Sequence, residues 1–265
     1  CGMGNRRDPE VVACILTTDH LMSDGETFRQ TLADAVQVAR KQDSIVTIGI
    51  QPTAPATGFG YIETGDAMEM NTVTRFHKAT RFVEKPDAYT AARYVESGNF
   101  FWNSGMFIWR TGVMQAALEQ HAPDLAKLSE AVSAAETPTD LDAVMGDLYP
   151  SLRAISVDYA VMEHVDNIMM ACGAFGWDDV GSWPAVAGHF TADPAGNVVV
   201  GACEPFESVN NIVVSENRLT ALIGVDGLIV VHSDTATLIC PKERAEDVKK
   251  LMRRIADRPD GAKYI

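Results

Sequence analysis

The stretch Val11-Val-Ala-Cys-Ile-Leu-Thr-Thr-Asp-His20 decides how the rest of the chain is interpreted. Its apolar part, residues 11–16, is typical of a strand that is buried on both faces in a parallel sheet. Apolar residues then recur at helical spacing between Gly25 and Gln42, and a second apolar run, Ile45-Val-Thr-Ile-Gly-Ile50, follows them. The pattern therefore predicts a strand, a helix and a second strand in succession.

The same alternation continues towards the middle of the chain. A polar, glycine-containing loop is predicted over residues 51–66, a strand over 81–85, a helix between Asp87 and Gly98, and a strand over 107–109. Two or three short helices are expected between Thr111 and Val144. This order predicts an α/β layered domain that covers residues 1–192.

The residue pattern changes after Asp193, where short segments typical of β-strands are separated by Gly, Asn and Asp. We expect residues 193–265 to form a small second β unit that closes with a helix from about Glu243 to Ala256. The expected strands lie at residues 197–200, 211–214, 219–223, 228–232 and 237–240.

The composition of the chain argues against several classes of function. The chain has 265 residues, of which 46% are hydrophobic, and a formal charge of −14 that disfavours nucleic acid as a partner. Its five cysteines lack the spacing of a disulfide framework or a zinc site, and its six histidines lack metal-ligand spacing. We find neither a membrane-spanning apolar run nor a secretory signal, so a cytoplasmic location is the default expectation.

Two aspartates are candidate metal ligands because each follows a predicted strand at the sheet edge where open α/β sheets bind ligands. They are Asp19, and Asp179 in Trp177-Asp-Asp-Val-Gly-Ser-Trp183. Two carboxylates that are distant in sequence suit a Mg²⁺ ion that also binds substrate phosphates. The simpler alternative is that Asp19 caps the next segment and Asp179 lies in a turn before Gly181.

Three further motifs are candidate ligand-binding segments. Glu84-Lys-Pro86 offers a carboxylate for hydroxyl groups and Lys85 for a phosphate, although a solvated surface pair is equally compatible. Asn103, in Trp102-Asn-Ser-Gly-Met106, offers both a donor and an acceptor, or the segment is a simple turn. The glycines of Thr57-Gly-Phe-Gly-Tyr61 allow the backbone to approach a ligand closely.

Taken in order, these motifs resemble those of the sugar nucleotidyltransferases, and most closely those of the mannose-1-phosphate guanylyltransferases. The resemblance covers nearly the whole chain. It rests on LTTDH (16–20), GIQPT (49–53), TGFGYI (57–62), FVEKP (82–86), WNSGMF (102–107), SVDYAVME (156–163) and WDDVGSW (177–183).

The resemblance implies a Rossmann-like nucleotidyltransferase domain followed by a short left-handed β-helix-like unit and a terminal helix. By the same resemblance, Asp19 and Asp179 bind Mg²⁺, Lys85 contacts the sugar phosphate, and Glu84, Asn103 and Gly60 bind the hexose. Asp158 belongs to the family's Ser-x-Asp motif near the sugar. The implied reaction joins GTP and mannose 1-phosphate into GDP-mannose and pyrophosphate.

The N-terminus departs from the family pattern. Only Cys1-Gly-Met-Gly-Asn-Arg6 corresponds to the family's glycine-rich nucleotide loop, G-G-x-G-T-R-L-x-P, so Gly2, Gly4 and Arg6 are the candidate nucleotide-binding residues. The later R-N-T-A-P motif is absent. We expect either a fragment or omitted residues, and a chain of this length alone is expected to bind GTP poorly and to turn over little.

Several alternatives stay open. The protein could use glucose 1-phosphate or another nucleotide, or it could be a non-catalytic homologue that binds sugar nucleotides. A purely structural role is the weakest alternative, because it leaves the ordered polar motifs unexplained. No phosphomannose isomerase activity is expected. The β-rich end and terminal helix could form a homodimer contact, although oligomeric state cannot be read from the sequence.

Overall fold

The computed structural model describes residues 8–264 of the chain. Two compact units are present, the first ending at Trp177 and the second beginning at Asp178. The candidate residues Gly2, Gly4 and Arg6 lie outside the described range.

The strands as far as Asp178 are β1 (Val12–Ile15), β2 (Leu21–Met22), β3 (Ile45–Ile50), β4 (Tyr61–Met68), β5 (Phe76–Val83), β6 (Phe100–Arg110), β7 (Ile168–Gly173) and β8 (Trp177–Asp178). The first unit is built on a six-stranded mixed sheet in the order β1-β6-β3-β7-β5-β4. β3 and β7 are parallel, whereas β6 runs antiparallel to both β1 and β3.

Helices of this unit begin and end at local sequence signals. Asp24 accepts backbone N–H groups at the start of the first helix, and Gly98, at φ 74°, ends the second. Both helices and the helical segment after Thr111 confirm the sequence-based expectation. The helices are α1 (Gly25–Lys41), α2 (Ala88–Ser97), α3 (Thr111–His121), α4 (Pro123–Ala134) and α5 (Pro138–Leu148).

The sheet is covered on both faces, which confirms the predicted α/β layering. One apolar cluster joins Ala35 and Val38 of α1 to Val46 and Ile48 of β3. A second cluster joins Met114 of α3 to the neighbouring strand residues on the other face. Because side chains alternate across a strand, one buried strand supplies both clusters.

The position predicted for β1 is wrong. It lies at the edge of the sheet, where it pairs antiparallel with β6, and Ile15 and Leu16 are exposed. The cause is β6, which lies between β1 and β3 and takes the place that a parallel neighbour would occupy. An apolar run alone does not specify which strand becomes its neighbour.

Three strand boundaries also differ from expectation. The predicted loop over residues 51–66 ends early, because β4 begins at Tyr61. β5 covers residues 76–83 rather than 81–85, and β6 extends from Phe100 to Arg110. Irregular pairing between β4 and β5 accounts for the first two differences, because its register shifts interrupt the alternation that identifies a strand.

The second unit contains the expected β-rich segment. β9, β10 and β11 are parallel, and β12 is antiparallel to β11. Buried Asn211 donates its side-chain N–H to Oδ1 of Asn197 at 3.0 Å. These two asparagines directly precede β10 and β9, so their hydrogen bond connects the starts of two neighbouring strands. The elements are α6 (Trp183–Ala187), β9 (Val198–Phe206), β10 (Ile212–Ile223), β11 (Leu228–His232), β12 (Thr237–Pro241) and α7 (Val248–Ala256).

The closing helix is shorter than predicted. A 3₁₀ helix occupies Lys242–Asp247, and α7 begins only at Val248. Among residues 8–264, no helix combines the length and the apolar character that a membrane span requires.

Candidate functional site

A bulge in β6 carries Asn103. Thr47 of β3 pairs with Phe107 of β6, whereas Gly49 pairs with Asn103, so two steps along β3 correspond to four along β6. Gly105, inside the bulge, has a φ of 72°, a left-handed conformation that favours glycine. The Asn-Ser-Gly-Met segment is therefore a strand bulge rather than the simple turn considered as an alternative.

The side chain of Asn103 is held by contacts from three directions. Its Oδ1 accepts the backbone N–H of Gly105 at 3.2 Å and the hydroxyl of Thr47 at 3.1 Å. Its Nδ2 donates to Oδ1 of Asp158 at 3.1 Å. A carboxylate only accepts and a backbone N–H only donates, so these partners define the orientation of the amide. The second hydrogen on Nδ2 is not used by these contacts and can be donated to a ligand.

Gly60 and Glu84 lie next to this asparagine. The backbone N–H of Asn103 donates to the carbonyl of Gly60 at 2.8 Å. A Cβ at position 60 would overlap the Glu84 carboxylate and would lie 3.3 Å from Cβ of Asn103. Three residues that the sequence assigned to hexose binding are thus in one place, and Gly60 is the one whose small size allows this packing.

Glu84 and Lys85 form an ion pair at the end of the Phe-Val-Glu-Lys-Pro segment. Nζ of Lys85 donates to Oε1 of Glu84 at 2.7 Å. The Glu84 side chain is 9% exposed but that of Lys85 is 57% exposed, so the ammonium remains accessible to a phosphate. Lys85 also has a φ of 48°, which is unusual for a residue with a side chain and is found at functional sites.

The two charges influence each other's titration. Burial raises the pKa of the Glu84 carboxyl, although the hydrogen bond from Lys85 acts in the opposite direction. The hydrogen bond to Glu84 raises the pKa of the Lys85 ammonium. Lys85 is therefore a cation throughout the neutral pH range, as phosphate binding requires.

A π-helical turn, Asp158–Met162, contributes the remaining acidic groups. Asp158 binds Asn103, while Oε1 of Glu163 accepts the backbone N–H of Glu84 at 3.1 Å. This turn therefore contacts both the Asn103 segment and the Glu84 segment, and π turns occur frequently at functional sites. Glu163 was not assigned a role from the sequence. Its position at the end of the Ser156–Glu163 motif was the available signal.

Asp19 lies in the same unit, and its side chain is largely exposed. Its side chain is 85% exposed, and Nε2 of His20 lies 3.9 Å from its Oδ1. Nε1 of Trp177 donates to Nδ1 of His20 at 3.0 Å. The next helix, α1, is capped by Asp24 and not by Asp19.

Aromatic rings connect the remaining motifs of the first unit. Phe59 lies 5.0 Å from Trp102 and 5.3 Å from Trp177, measured between ring centroids, and both contacts are edge-to-face. His20 makes a similar edge contact with Trp177 at 5.2 Å. Segments that are far apart in sequence, around residues 20, 59, 102 and 177, therefore converge.

Asp179 belongs to the second unit. Its Oδ1 accepts the N–H of Gly181 at 3.2 Å, which is the turn that the simpler interpretation predicted. The preceding Asp178 accepts from Val180 and contacts Nε2 of His189 at 2.9 Å. Within residues 8–264 no group of three or more His, Cys, Asp or Glu is arranged to hold a metal. The pairing of Asp19 with Asp179 stays a prediction.

The arrangement in the first unit has a definite chemical character. It combines an accessible ammonium, a free amide N–H and carboxylates that accept hydroxyl groups. An anion with several hydroxyl groups matches these features, because the ammonium binds the anion and the carboxylates accept hydrogen bonds from the hydroxyl groups.

Comparison with protein families agrees with this character. A family model described as nucleotidyl transferase matches residues 3–194. A second model, described as a MannoseP isomerase/GMP-like beta-helix domain, matches residues 205–255. The two matches agree with the α/β fold of the first unit and the β-rich fold of the second.

Curated relatives extend the comparison. A protein from Sinorhizobium fredii named mannose-1-phosphate guanylyltransferase is 34% identical over 255 residues, which are 96% of this chain and 49% of that protein. A Klebsiella pneumoniae protein of the same name is 36% identical over 246 residues, covering 92% of this chain and 52% of its own length. The chain thus spans about half the length of these relatives.

A solved structure shows the same fold. It is described as a mannose-1-phosphate geranyltransferase from Thermus thermophilus, and it matches with a TM-score of 0.82 and 30% identity. The match covers 96% of this chain and 73% of that one.

Proposed function

Because this chain belongs to the nucleotidyl transferase family, we propose that it transfers GMP from GTP to mannose 1-phosphate, giving GDP-mannose and pyrophosphate. The observation that carries the proposal is the cluster of Gly60, Glu84, Lys85, Asn103 and Asp158 in the first unit. The names of the relatives supply the sugar and the nucleotide.

In this proposal the cluster binds mannose 1-phosphate. Lys85, whose ammonium is accessible, contacts the phosphate. Glu84 and Asp158 accept hydrogen bonds from sugar hydroxyls, and Asn103 donates its remaining N–H to the sugar. Gly60 has no Cβ, which lets the Glu84 carboxylate pack against it beside Asn103.

The proposed chemistry is an in-line displacement. A phosphate oxygen of mannose 1-phosphate attacks the α-phosphorus of GTP, and the bond from that phosphorus to the pyrophosphate group breaks. The nucleophile is already an anion, so no general base is needed. The protein residues contribute alignment and neutralisation of charge.

Asp19 and Asp179 are the proposed ligands of Mg²⁺, a metal that prefers carboxylate oxygens. Asp19 fits the role because its carboxylate is exposed, and Oδ2 of Asp179 is not engaged by the Gly181 hydrogen bond. When bound, the ion would neutralise charge on the substrate phosphates. A complete coordination shell would need further oxygens from phosphates and water.

Other parts of the proposal rest on the sequence alone. Gly2, Gly4 and Arg6 are proposed to contact the nucleotide. A cytoplasmic location and a homodimeric state also remain proposals.

A substrate panel tests the proposed function. The full-length protein would be incubated with Mg²⁺ and each pair drawn from GTP, UTP and dTTP with mannose 1-phosphate and glucose 1-phosphate, and pyrophosphate release would be measured. We expect the GTP and mannose 1-phosphate pair to react fastest. Exclusive use of UTP would reject guanylyl transfer, and GDP-mannose binding without turnover of any pair would support a non-catalytic homologue.

A further inference from the structure

Thr47 is an unexpected residue in its strand. All six residues of β3 are buried, and Thr47 is the only one with a polar side chain in the sequence Ile-Val-Thr-Ile-Gly-Ile. Valine has nearly the same shape and needs no hydrogen-bond partner, so it would suit an apolar strand better. We therefore expect the hydroxyl group of Thr47 to have a specific hydrogen-bond partner.

The hydroxyl contacts the asparagine of the proposed sugar site. Oγ1 of Thr47 lies 3.1 Å from Oδ1 of Asn103 and 3.4 Å from the carbonyl oxygen of Met106. Thr47 has no exposed surface and Asn103 is 8% exposed, so water does not replace this bond easily. The shorter contact makes Asn103 Oδ1 the better acceptor.

We propose that Thr47 is a positioning residue that orients the amide of Asn103 for the sugar of mannose 1-phosphate. The inference rests on the proposed function, and it concerns how the same site selects its sugar substrate. Thr47 acts through Asn103.

The hydrogen bonds of the Asn103 amide determine which group it offers to the sugar. Oδ1 of Asn103 is occupied by Thr47 and Gly105, and one hydrogen of Nδ2 is occupied by Asp158. The amide therefore presents a donor, and not an acceptor, to the sugar. Without the Thr47 hydroxyl, the amide keeps the Gly105 N–H on Oδ1 and Asp158 on Nδ2, so two contacts instead of three limit its rotation about the Cβ–Cγ bond. The direction of the remaining N–H is then less well defined.

Substitutions at Thr47 separate the hydroxyl from the volume of the side chain. Thr47→Val removes the hydroxyl and keeps the shape, while Thr47→Ser keeps the hydroxyl. Thr31→Val is a matched control, because Thr31 is also buried and donates its hydroxyl to the carbonyl of Thr27 within α1. Asn103→Ala and the double variant Thr47→Val with Asn103→Ala complete the set.

Steady-state kinetics of the full-length protein would give the KM for mannose 1-phosphate and for GTP separately, with melting temperatures measured alongside. We expect Thr47→Val to raise the KM for mannose 1-phosphate about three- to tenfold, the range for one lost hydrogen bond, and to leave the KM for GTP unchanged. Thr47→Ser should restore the KM to within about twofold. In the Asn103→Ala background, Thr47→Val should have no further effect.

The kinetic results distinguish a failure of the proposed function from a failure of the role proposed for Thr47. If the wild type releases no pyrophosphate from GTP and mannose 1-phosphate, the proposed function fails and the inference fails with it. If the wild type is active, any one of four results rejects the inference alone. These are unchanged kinetics in Thr47→Val, an equal rise in both KM values or a rise matched by Thr31→Val, and an additive effect in the double variant.

Discussion

Nδ2 of Asn103 lies 3.1 Å from Oδ1 of Asp158, so a bulge in β6 and a π-helical turn share a hydrogen bond across 55 residues of sequence. The bond joins two motifs that the sequence assigned to the sugar, and it leaves the second carboxylate oxygen of Asp158 able to accept a hydroxyl group.

Removal of the Asp158 carboxylate should weaken sugar binding. Asp158→Ala leaves the Asn103 N–H without its acceptor and removes an acceptor for the sugar, so we expect the KM for mannose 1-phosphate to rise about tenfold or more. Asp158→Asn keeps one acceptor oxygen and should have a smaller effect. Kinetics with each substrate varied in turn would measure both. Equal KM values for wild type and Asp158→Ala would exclude Asp158 from the sugar site.

A methyl group at position 60 should block the site. Cβ of Gly60→Ala would overlap the Glu84 carboxylate and would force it to move, so we expect at least about a tenfold loss in kcat/KM for mannose 1-phosphate. Gly58→Ala is a matched control in the same loop, since nothing lies within 4 Å of its added Cβ. Similar kinetics for the two variants would argue against close packing at Gly60.

Stability should depend on pH through Glu84. Its folded-state pKa is raised, mainly by burial, so the stability that it contributes is complete below the unfolded pKa of about 4.3 and is lost as pH rises through the folded pKa. Glu84→Gln resembles the protonated form. We therefore expect this variant to melt at a higher temperature than wild type at pH 7, with the difference vanishing towards pH 4. Calorimetry that finds the wild type more stable at pH 7 would show that the charged form is favoured.

Two glycine substitutions should change stability in opposite directions. Gly105 has a φ of 72°, so Gly105→Ala forces a strained conformation and should cost about 1 kcal/mol, or roughly 2 to 4 °C in melting temperature. Gly146 lies inside α5 with nothing within 4 Å of an added Cβ, so Gly146→Ala should stabilise by about 0.5 to 1 kcal/mol. Denaturant unfolding would measure both, and a stable Gly105→Ala variant would contradict the assigned bulge.

The sequence predicted best what depends on local signals. Asp87 and Gly98 delimit α2 through a cap and a left-handed residue, and both lie where the pattern placed them. The proximity of Gly60, Glu84 and Asn103 was also predicted, although only through the family resemblance. Short polar motifs identify candidate ligand residues even where the strand boundaries differ from the pattern.

Features that depend on distant partners could not be predicted. The apolar run at residues 11–16 does not reveal that β6 separates β1 from β3. Thr47 and Glu163 were missed because their contacts, with Asn103 and Glu84, span 56 and 79 residues. Neither residue type indicates a role until the fold brings its partner close.

The most direct test of the account is pyrophosphate release from GTP and mannose 1-phosphate, with Mg²⁺, by the full-length protein. Wild type would be compared with Lys85→Ala and Asp179→Ala, and with Asp234→Ala as a control at an exposed carboxylate. We expect steady release by wild type and the control, and a fall of about 100-fold or more in the other two variants. An inactive wild type, or a Lys85→Ala variant as active as wild type, would contradict the proposed site.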